Sequence, residues 1–134
     1  MSLVLGVGVS TGVDALALQA LIGVVLRDHG LDPRDVTDVV TLDDKTQAVP
    51  VRRLAAAMGA RVTGYPPSIL AAQDVPHPSP AVRLAVATPS VAEAAVLAAG
   101  ARLVVPKTVR DRCTVAVGVS HRADLVVAAA TDGR

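Results

Sequence analysis

The sequence predicts a three-layer α/β/α domain around a central, mostly parallel or mixed sheet of about five strands. Apolar runs of strand length alternate with segments of helical period, and this order is typical of layered α/β domains. The chain has 134 residues, of which 51% are hydrophobic, so one well-filled core can form. The first apolar run leads directly into a glycine-rich loop, which is a common start for such a sheet.

The first strand and the helix after it carry the strongest local signals. Leu3–Val7 is a short apolar run that ends in glycines, which favours a buried strand. A helix is predicted from Val13 to Asp28, with Ser10 or Thr11 as its N-cap and Gly30 in the left-handed position at its end. Its apolar stripe is wide, so we expect the helix to be covered on more than one side or to contact a second subunit.

The middle of the chain continues the alternation of strands and helices. Asp32–Pro33 is predicted to begin a single helical turn, because proline suits the first helical position. The other predicted elements are strands over Thr37–Leu42 and Arg61–Thr63, a helix over Val49–Met58, short helices over Ser68–Gln73 and Ser79–Val86, a helix from Thr88 or Ser90 to Gly100, and strands over Leu103–Val105 and Thr114–Gly118.

The domain is expected to cover residues 1–118, with one polar loop carrying Lys107 between the last two strands. From residue 119 to 134 the pattern weakens. This C-terminal extension is expected to be either an added strand or helix or a disordered end.

Composition excludes several functional classes. The chain has one Tyr, no Phe and no Trp, so it lacks the aromatic surface on which single-stranded nucleic acids stack, and its net charge is only +1. A single cysteine, Cys113, forms no internal disulfide and suits a reducing compartment, the cytoplasm. The apolar stretches are too short or too interrupted to span a membrane, and the histidines show no metal-ligand spacing. We therefore expect no nucleic acid, no membrane and no metal.

Polar clusters at the predicted strand ends and helix starts are the candidate site. Ligands of open α/β sheets bind beyond the carboxyl ends of the parallel strands. Glycines let the backbone approach a ligand, and a helix start offers free amides to an anion. The candidate ligand-binding residues are Gly6, Gly8, Ser10, Thr11, Gly12, Thr88, Ser90, Glu93 and Lys107, and Asp43, Asp44 and Lys45 form a further cluster.

Each cluster also has a purely structural explanation. A glycine loop can simply make the turn, Asp43 and Asp44 can be cap or surface residues, and Ser90 with Glu93 fits a capping box. Cys113 is most simply a small buried hydrophobic residue. The spacing Gly6-x-Gly8-x-x-x-Gly12 is one residue longer than the common dinucleotide fingerprint, and no Walker lysine follows it.

Several motifs occur in a fixed order along the chain. They are Thr41–Lys45 (TLDDK), Val75–Ser79 (VPHPS), Thr88–Ala95 (TPSVAEAA), Leu103–Lys107 (LVVPK) and Thr114–Val117 (TVAV). Together with the glycine loop, they resemble the CobE family and the C-terminal domain of CbiG, both from cobalamin biosynthesis. The resemblance covers about Leu3 to Gly118.

The sequence departs from that family in the first loop and in two other places. The family's first loop typically reads Gly-x-Gly-Cys-Arg/Lys-x-Gly, whereas Val9 and Ser10 stand here in place of the cysteine and the basic residue. The acidic residue usual after Asp-x-Lys is missing from Thr46–Ala48, and Ala87 stands where a glycine is usual. A mechanism that needs a thiolate at position 9 cannot operate in this chain.

The resemblance implies a role in making the corrin ring. CbiG proteins look like hydrolases of cobalt-precorrin-5A that open a ring lactone and release acetaldehyde, work expected to need the family's N-terminal domain as well. The expected ligand is a precorrin-type tetrapyrrole, whose carboxylates would suit the glycine loop, the helix starts, Lys45 and Lys107. No cofactor is expected.

Whether the chain is an enzyme stays open at this point. If it is a hydrolase, Asp43 is the candidate base that activates water, and Lys45 or Lys107 would stabilise the oxyanion. The alternatives are an accessory or carrier protein, a non-catalytic domain that dimerises or docks other pathway enzymes, and a small nucleotide-binding module.

Overall fold

The computed structural model describes residues 2–73 and 90–120 of the chain. The strands in these residues are β1 (Ser2–Val9), β2 (Val36–Leu42), β3 (Arg61–Tyr65), β4 (Arg102–Arg110) and β5 (Cys113–Ser120), and the helices are α1 (Ala15–Asp28), α2 (Val49–Met58), α3 (Pro67–Ala71) and α4 (Ser90–Ala98). Single 3-10 turns lie at Pro33–Asp35 and Asp43–Lys45. The predicted helix over Ser79–Val86 and the end of the chain from residue 121 lie outside the described residues.

The strands form one mixed sheet with the order β3-β2-β1-β5-β4. β1, β2 and β3 run parallel, β5 runs antiparallel to β1, and β4 runs antiparallel to β5. α1 and α2 pack on one face of the sheet, and α3 and α4 pack on the other. This arrangement confirms the predicted three-layer α/β/α fold.

One edge of the sheet collects the carboxyl ends of the parallel strands, and we call it the carboxyl edge. Val9, Leu42 and Tyr65 end β1, β2 and β3 there. The two-residue turn Asp111–Arg112 between β4 and β5 lies at the same edge, because Cys113 pairs with Val9. α1, α2 and α3 all begin beside this edge, each after one of the parallel strands.

Helix α1 begins two residues later than predicted. Its N-cap is Asp14, whose Oδ1 accepts a hydrogen bond from the amide of Leu16 at 3.3 Å. Ser10 and Thr11 do not cap it, because the chain first makes a turn that the amide of Val13 closes on the carbonyl of Ser10 at 3.2 Å. The end of the helix was predicted correctly, since Gly30 has a φ of +66°.

The last two strands are longer than the sequence pattern indicated, and the predicted polar loop around Lys107 is wrong. Lys107 lies inside β4, and the connection is only Asp111–Arg112. Pro106 can lie within a strand because β4 is at the edge of the sheet, where a missing amide costs no ladder hydrogen bond. The register of the β4–β5 pairing shifts on both sides of Val105, and these shifts accommodate Pro106.

Helix α4 lies unusually close to the sheet. A Cβ at Gly6 would overlap the carbonyl oxygen of Ala92, and a Cβ at Gly118 would overlap the side chain of Val96. Ala92, Ala95 and Val96 are fully buried in this contact. Small residues on both sides thus supply the close packing that a core without Phe or Trp requires. Among the helices described, none has the length and hydropathy that crossing a bilayer would need.

Candidate functional site

A cavity of about 170 Å³ opens at the carboxyl edge. It lies between the ends of β1 and β2, the first turn of α4 and the β4–β5 turn. The described residues that line it are Gly8, Val9, Ser10, Thr41, Leu42, Lys45, Val91, Val109, Arg112 and Thr114. Lys45 and Arg112 are the charged residues in this set, and both are cationic.

The glycine loop is held against the β4–β5 turn. Gly8 pairs with Thr114 in the β1–β5 ladder, and the amide of Ser10 donates to the carbonyl of Arg112 at 3.3 Å. The Nη2 group of Arg112 donates in turn to the carbonyl of Gly12 at 3.4 Å. Gly12 has a φ of +83°, a conformation that favours glycine. One wall of the cavity is therefore built by two segments that are far apart in sequence.

Lys45 reaches the cavity from a 3-10 turn at the end of β2. Thr41 ties that strand to β1, because its buried hydroxyl donates to the carbonyl of Val7 at 2.8 Å. The turn itself packs on β3, where a Cβ at Gly64 would stand 2.6 Å from the Cα of Asp43. The hydroxyl of Thr46 closes the turn by donating to the carbonyl of Asp43 at 3.0 Å.

Glu93 and Lys107 meet next to the cavity but do not line it. Glu93 is fully buried in α4, and its Oε2 accepts a hydrogen bond from the backbone amide of Lys107 at 2.9 Å. This contact joins the start of α4 to β4. Val91, two residues earlier in α4, lines the cavity.

The structure thus brings together three of the candidate residues from different parts of the chain: Gly8, Ser10 and Lys45 line one cavity. Thr11 and Gly12 are exposed in the adjoining loop, and Asp43 is exposed at the end of β2, outside the lining residues. Gly6 lies inside β1 beneath α4. Ser90 begins α4, while its side chain and Thr88 lie outside the described residues.

Arg112 is the residue that the sequence pattern did not single out. It and Asp111 form a two-residue turn in which φ is +53° at Asp111 and +64° at Arg112. Both central residues of a tight type I′ hairpin turn need such values. β-branched residues at Thr108, Val109, Thr114 and Val115 flank the turn and favour strands on both sides of it. These β-branched residues indicated that both strands extend towards a short connection, although they did not fix where the turn lies.

Cys113 does not stand in for the cysteine that is missing from the first loop. Its side chain is fully buried, and burial raises the pKa of the thiol. The neutral thiol donates to the carbonyl of Asp111 at 3.6 Å. Cys113 is therefore a small buried hydrophobic residue, as the sequence indicated. Within residues 2–73 and 90–120, no three or more His, Cys, Asp or Glu side chains are grouped so that they could hold a metal ion.

A second groove, of about 450 Å³, runs along β3 on the face of the sheet that carries α4. Asp38 and Arg61 lie in it and form an ion pair with a distance of 3.0 Å between Nε and Oδ1. Tyr65 lies in the same groove, and burial together with the nearby Asp38 raises the pKa of its hydroxyl. None of the candidate residues that the sequence pattern predicted lines this groove.

The solved structures that resemble the chain over most of its length include two at 25% identity or more. One is CobE, a protein from the cobalamin (vitamin B12) biosynthetic pathway, with 29% sequence identity, a TM-score of 0.74, and coverage of 87% of this chain and 88% of that chain. The other is the cobalamin biosynthesis protein chiG from Agrobacterium tumefaciens str. C58, with 25% identity, a TM-score of 0.63, and coverage of 88% of this chain and 98% of that chain.

A more distant structure shares the fold. It is a putative cobalamin biosynthesis protein G homolog from Sulfolobus solfataricus, with 18% identity and a TM-score of 0.69, and the match covers 87% of this chain and 36% of that chain. No curated protein sequence matches the chain significantly. The family described as Cobalamin synthesis G C-terminus matches residues 3–118, most of the chain. The chain therefore belongs to this CbiG C-terminal family of cobalamin-biosynthesis domains.

Proposed function

We propose that this domain binds a precorrin-type tetrapyrrole at the carboxyl edge. It acts either as an accessory or carrier protein or as part of a cobalt-precorrin-5A hydrolase, in the cytoplasm. Membership of the CbiG C-terminal family supports the pathway. The observation that carries the site is the cavity itself, because Gly8, Ser10 and Lys45 come from separate candidate clusters and line it together.

The chemistry of the carboxyl edge suits such a ligand. Corrin precursors are flat apolar macrocycles that carry carboxylate side chains. Among the described residues, Val109 near the end of β4 is a large exposed hydrophobic residue that lines the cavity, and Ile69 in α3, a helix that packs on the same face of the sheet as α4, is also exposed. These apolar groups offer contact area to the macrocycle, while Lys45 offers a charge to a carboxylate.

The size of the cavity indicates how the ligand would sit. At about 170 Å³ it is smaller than the cavities of about 300–1,000 Å³ that enclose drug-sized molecules. The described walls therefore admit a side chain or one edge of a macrocycle, and the rest of the ring lies over the exposed apolar groups. This is a mode of binding in which the ring stays accessible to a second protein, as a carrier requires.

Titration with a corrin tests the binding proposal. The probe is dicyanocobyrinic acid, whose visible absorbance reports the environment of the ring. We expect a saturable spectral shift for the wild type. Lys45→Gln should raise the Kd about tenfold. Arg53→Gln, which removes a charge from the exposed side of α2, should leave the Kd unchanged. Absence of binding by the wild type contradicts the proposal. Binding of a nucleotide instead, or a stable complex with a pathway enzyme alone, would favour the alternatives.

The hydrolase role is tested separately with cobalt-precorrin-5A. Asp43 would take a proton from the water that attacks the lactone carbonyl, Lys45 would stabilise the oxyanion, and the ring oxygen would leave with a proton. Lys45 lines the cavity, whereas Asp43 lies just outside the lining. Full lactone hydrolysis by Asp43→Ala would rule out Asp43 as the base. A wild type that binds without hydrolysing the lactone would identify the carrier role.

A further inference from the structure

The β4–β5 turn presents a cation to the cavity that none of the predicted clusters contains. Arg112 lines the cavity from the turn, and Lys45 lines it from the end of β2. No described lining residue is acidic, so the two positive charges have no carboxylate among them. Like charges that share a small cavity repel one another, and an anion between them removes the repulsion.

The backbone of Arg112 adds a second observation. Its φ of +64° is a conformation that glycine adopts without penalty and that a long side chain adopts at a cost. The second central position of such a turn is ordinarily glycine. Strained residues of this kind cluster at active sites and ligand clamps, where the surrounding structure holds them. Within residues 2–73 and 90–120, the guanidinium has one hydrogen bond, to the carbonyl of Gly12 at 3.4 Å, which is long and exposed.

We propose that Arg112 and Lys45 form a carboxylate-binding pair, in which the Arg112 guanidinium binds one carboxylate arm of the tetrapyrrole with two parallel hydrogen bonds. Lys45 neutralises the same group from the other side of the cavity. A planar guanidinium matches a carboxylate in this way, and an ammonium does not. The inference rests on the proposed function and names the contact that selects the ligand. It also gives this chain a basic group beside the first loop, although Ser10 itself is not basic.

The turn that carries Arg112 is anchored to the glycine loop, so the two cations occupy defined positions. The hydrogen bond from the amide of Ser10 to the carbonyl of Arg112 fixes the turn to the glycine loop. The guanidinium lies beside the glycine loop, where its Nη2 group donates to the carbonyl of Gly12. A carboxylate arm in the cavity would then accept bonds from Arg112 while its macrocycle lies on the apolar groups at the edge.

The test compares two corrins and matched variants of the turn. The probes are dicyanocobyrinic acid, whose side chains end in carboxylates, and dicyanocobinamide, whose side chains are amidated. Arg112→Gln and Arg112→Lys are each expected to weaken cobyrinic acid binding about tenfold while changing cobinamide binding less than about twofold. Arg110→Gln removes the same charge from the same hairpin outside the cavity lining and is expected to leave both affinities unchanged.

The outcomes separate this inference from the proposed function. Wild-type binding of cobyrinic acid that Arg112→Gln leaves unchanged, or that Arg110→Gln weakens equally, overturns the inference alone. Equal losses for the two corrins overturn it as well, since the contact would then be indifferent to the carboxylate. Absence of cobyrinic acid binding by the wild type overturns the proposed function and this inference together. Arg112→Gly provides a variant that is expected to fold, because glycine suits the turn.

Discussion

Gly6 and Gly8 belong to the same motif and the same strand, yet they lie in different environments. Gly6 is under α4, where a Cβ would overlap the carbonyl oxygen of Ala92. Gly8 is at the end of β1 and lines the cavity at the carboxyl edge. The difference arises because α4 begins at Ser90 and covers only the inner part of the strand. One glycine therefore serves packing, and the other faces the candidate site.

The molecule divides into two regions with separate roles. The covered region, where α4 packs on Gly6 and Gly118, determines the stability of the fold. The open region, formed by Gly8 to Gly12, Lys45 and Arg112, is the proposed binding site. Changes in the covered region should therefore alter the free energy of unfolding, and changes in the open region should alter ligand affinity.

The largest expected effect is in the covered region. Gly6→Ala places a methyl group against backbone atoms of α4, which cannot rotate away, so the helix must shift. We expect a loss of about 3 kcal/mol in the free energy of unfolding, measured by urea denaturation. Gly23→Ala is the control, since nothing lies within 4 Å of its Cβ position and it sits inside α1. It should stabilise by about 0.5–1 kcal/mol. Equal effects of the two substitutions would show that α4 does not restrict the side chain at position 6.

A smaller effect of opposite sign is expected in the open region. Arg112→Gly relieves the positive φ of the turn and should raise the free energy of unfolding by up to about 1 kcal/mol, while binding of dicyanocobyrinic acid weakens. Asp111→Gly relieves the neighbouring positive φ and leaves Arg112 in place. This variant should therefore bind dicyanocobyrinic acid as tightly as the wild type. If Arg112→Gly lost stability and kept full affinity, the arginine would be a structural residue of the turn.

The smallest expected effect is a change in the free energy of unfolding with pH that depends on Cys113, the first residue of β5. Burial raises the pKa of the thiol in the folded protein, so its contribution to stability is present below the unfolded pKa of about 8.5 and is lost as the pH rises above it. Urea denaturation at increasing pH should show a steeper loss for the wild type than for Cys113→Ala. Parallel curves for the two proteins would show that the thiol titrates alike in the folded and unfolded chain.

The sequence predicted much of the fold and part of the candidate site. The sequence predicted α2 with both its bounds. Pro50 marks its first turn and Gly59 its end, because each residue has a strong backbone preference. Residues at strand ends, such as Gly8 and Lys45, followed from the rule that parallel strands share one carboxyl edge. Arg112 could not be found in that way, because its placement depends on how far β4 and β5 pair. Local pattern also could not separate Gly6 from Gly8, since the cover over Gly6 comes from α4, far away in sequence.

Amide chemical shifts show most directly where the ligand lies on the domain. The measurement is a titration of isotope-labelled protein with dicyanocobyrinic acid, followed residue by residue. We expect the saturable shifts to concentrate at Gly8, Ser10, Gly12, Lys45 and Arg112. Saturable shifts confined to the groove along β3, at Asp38, Arg61 and Tyr65, would contradict the account, because the ligand would then bind away from the carboxyl edge.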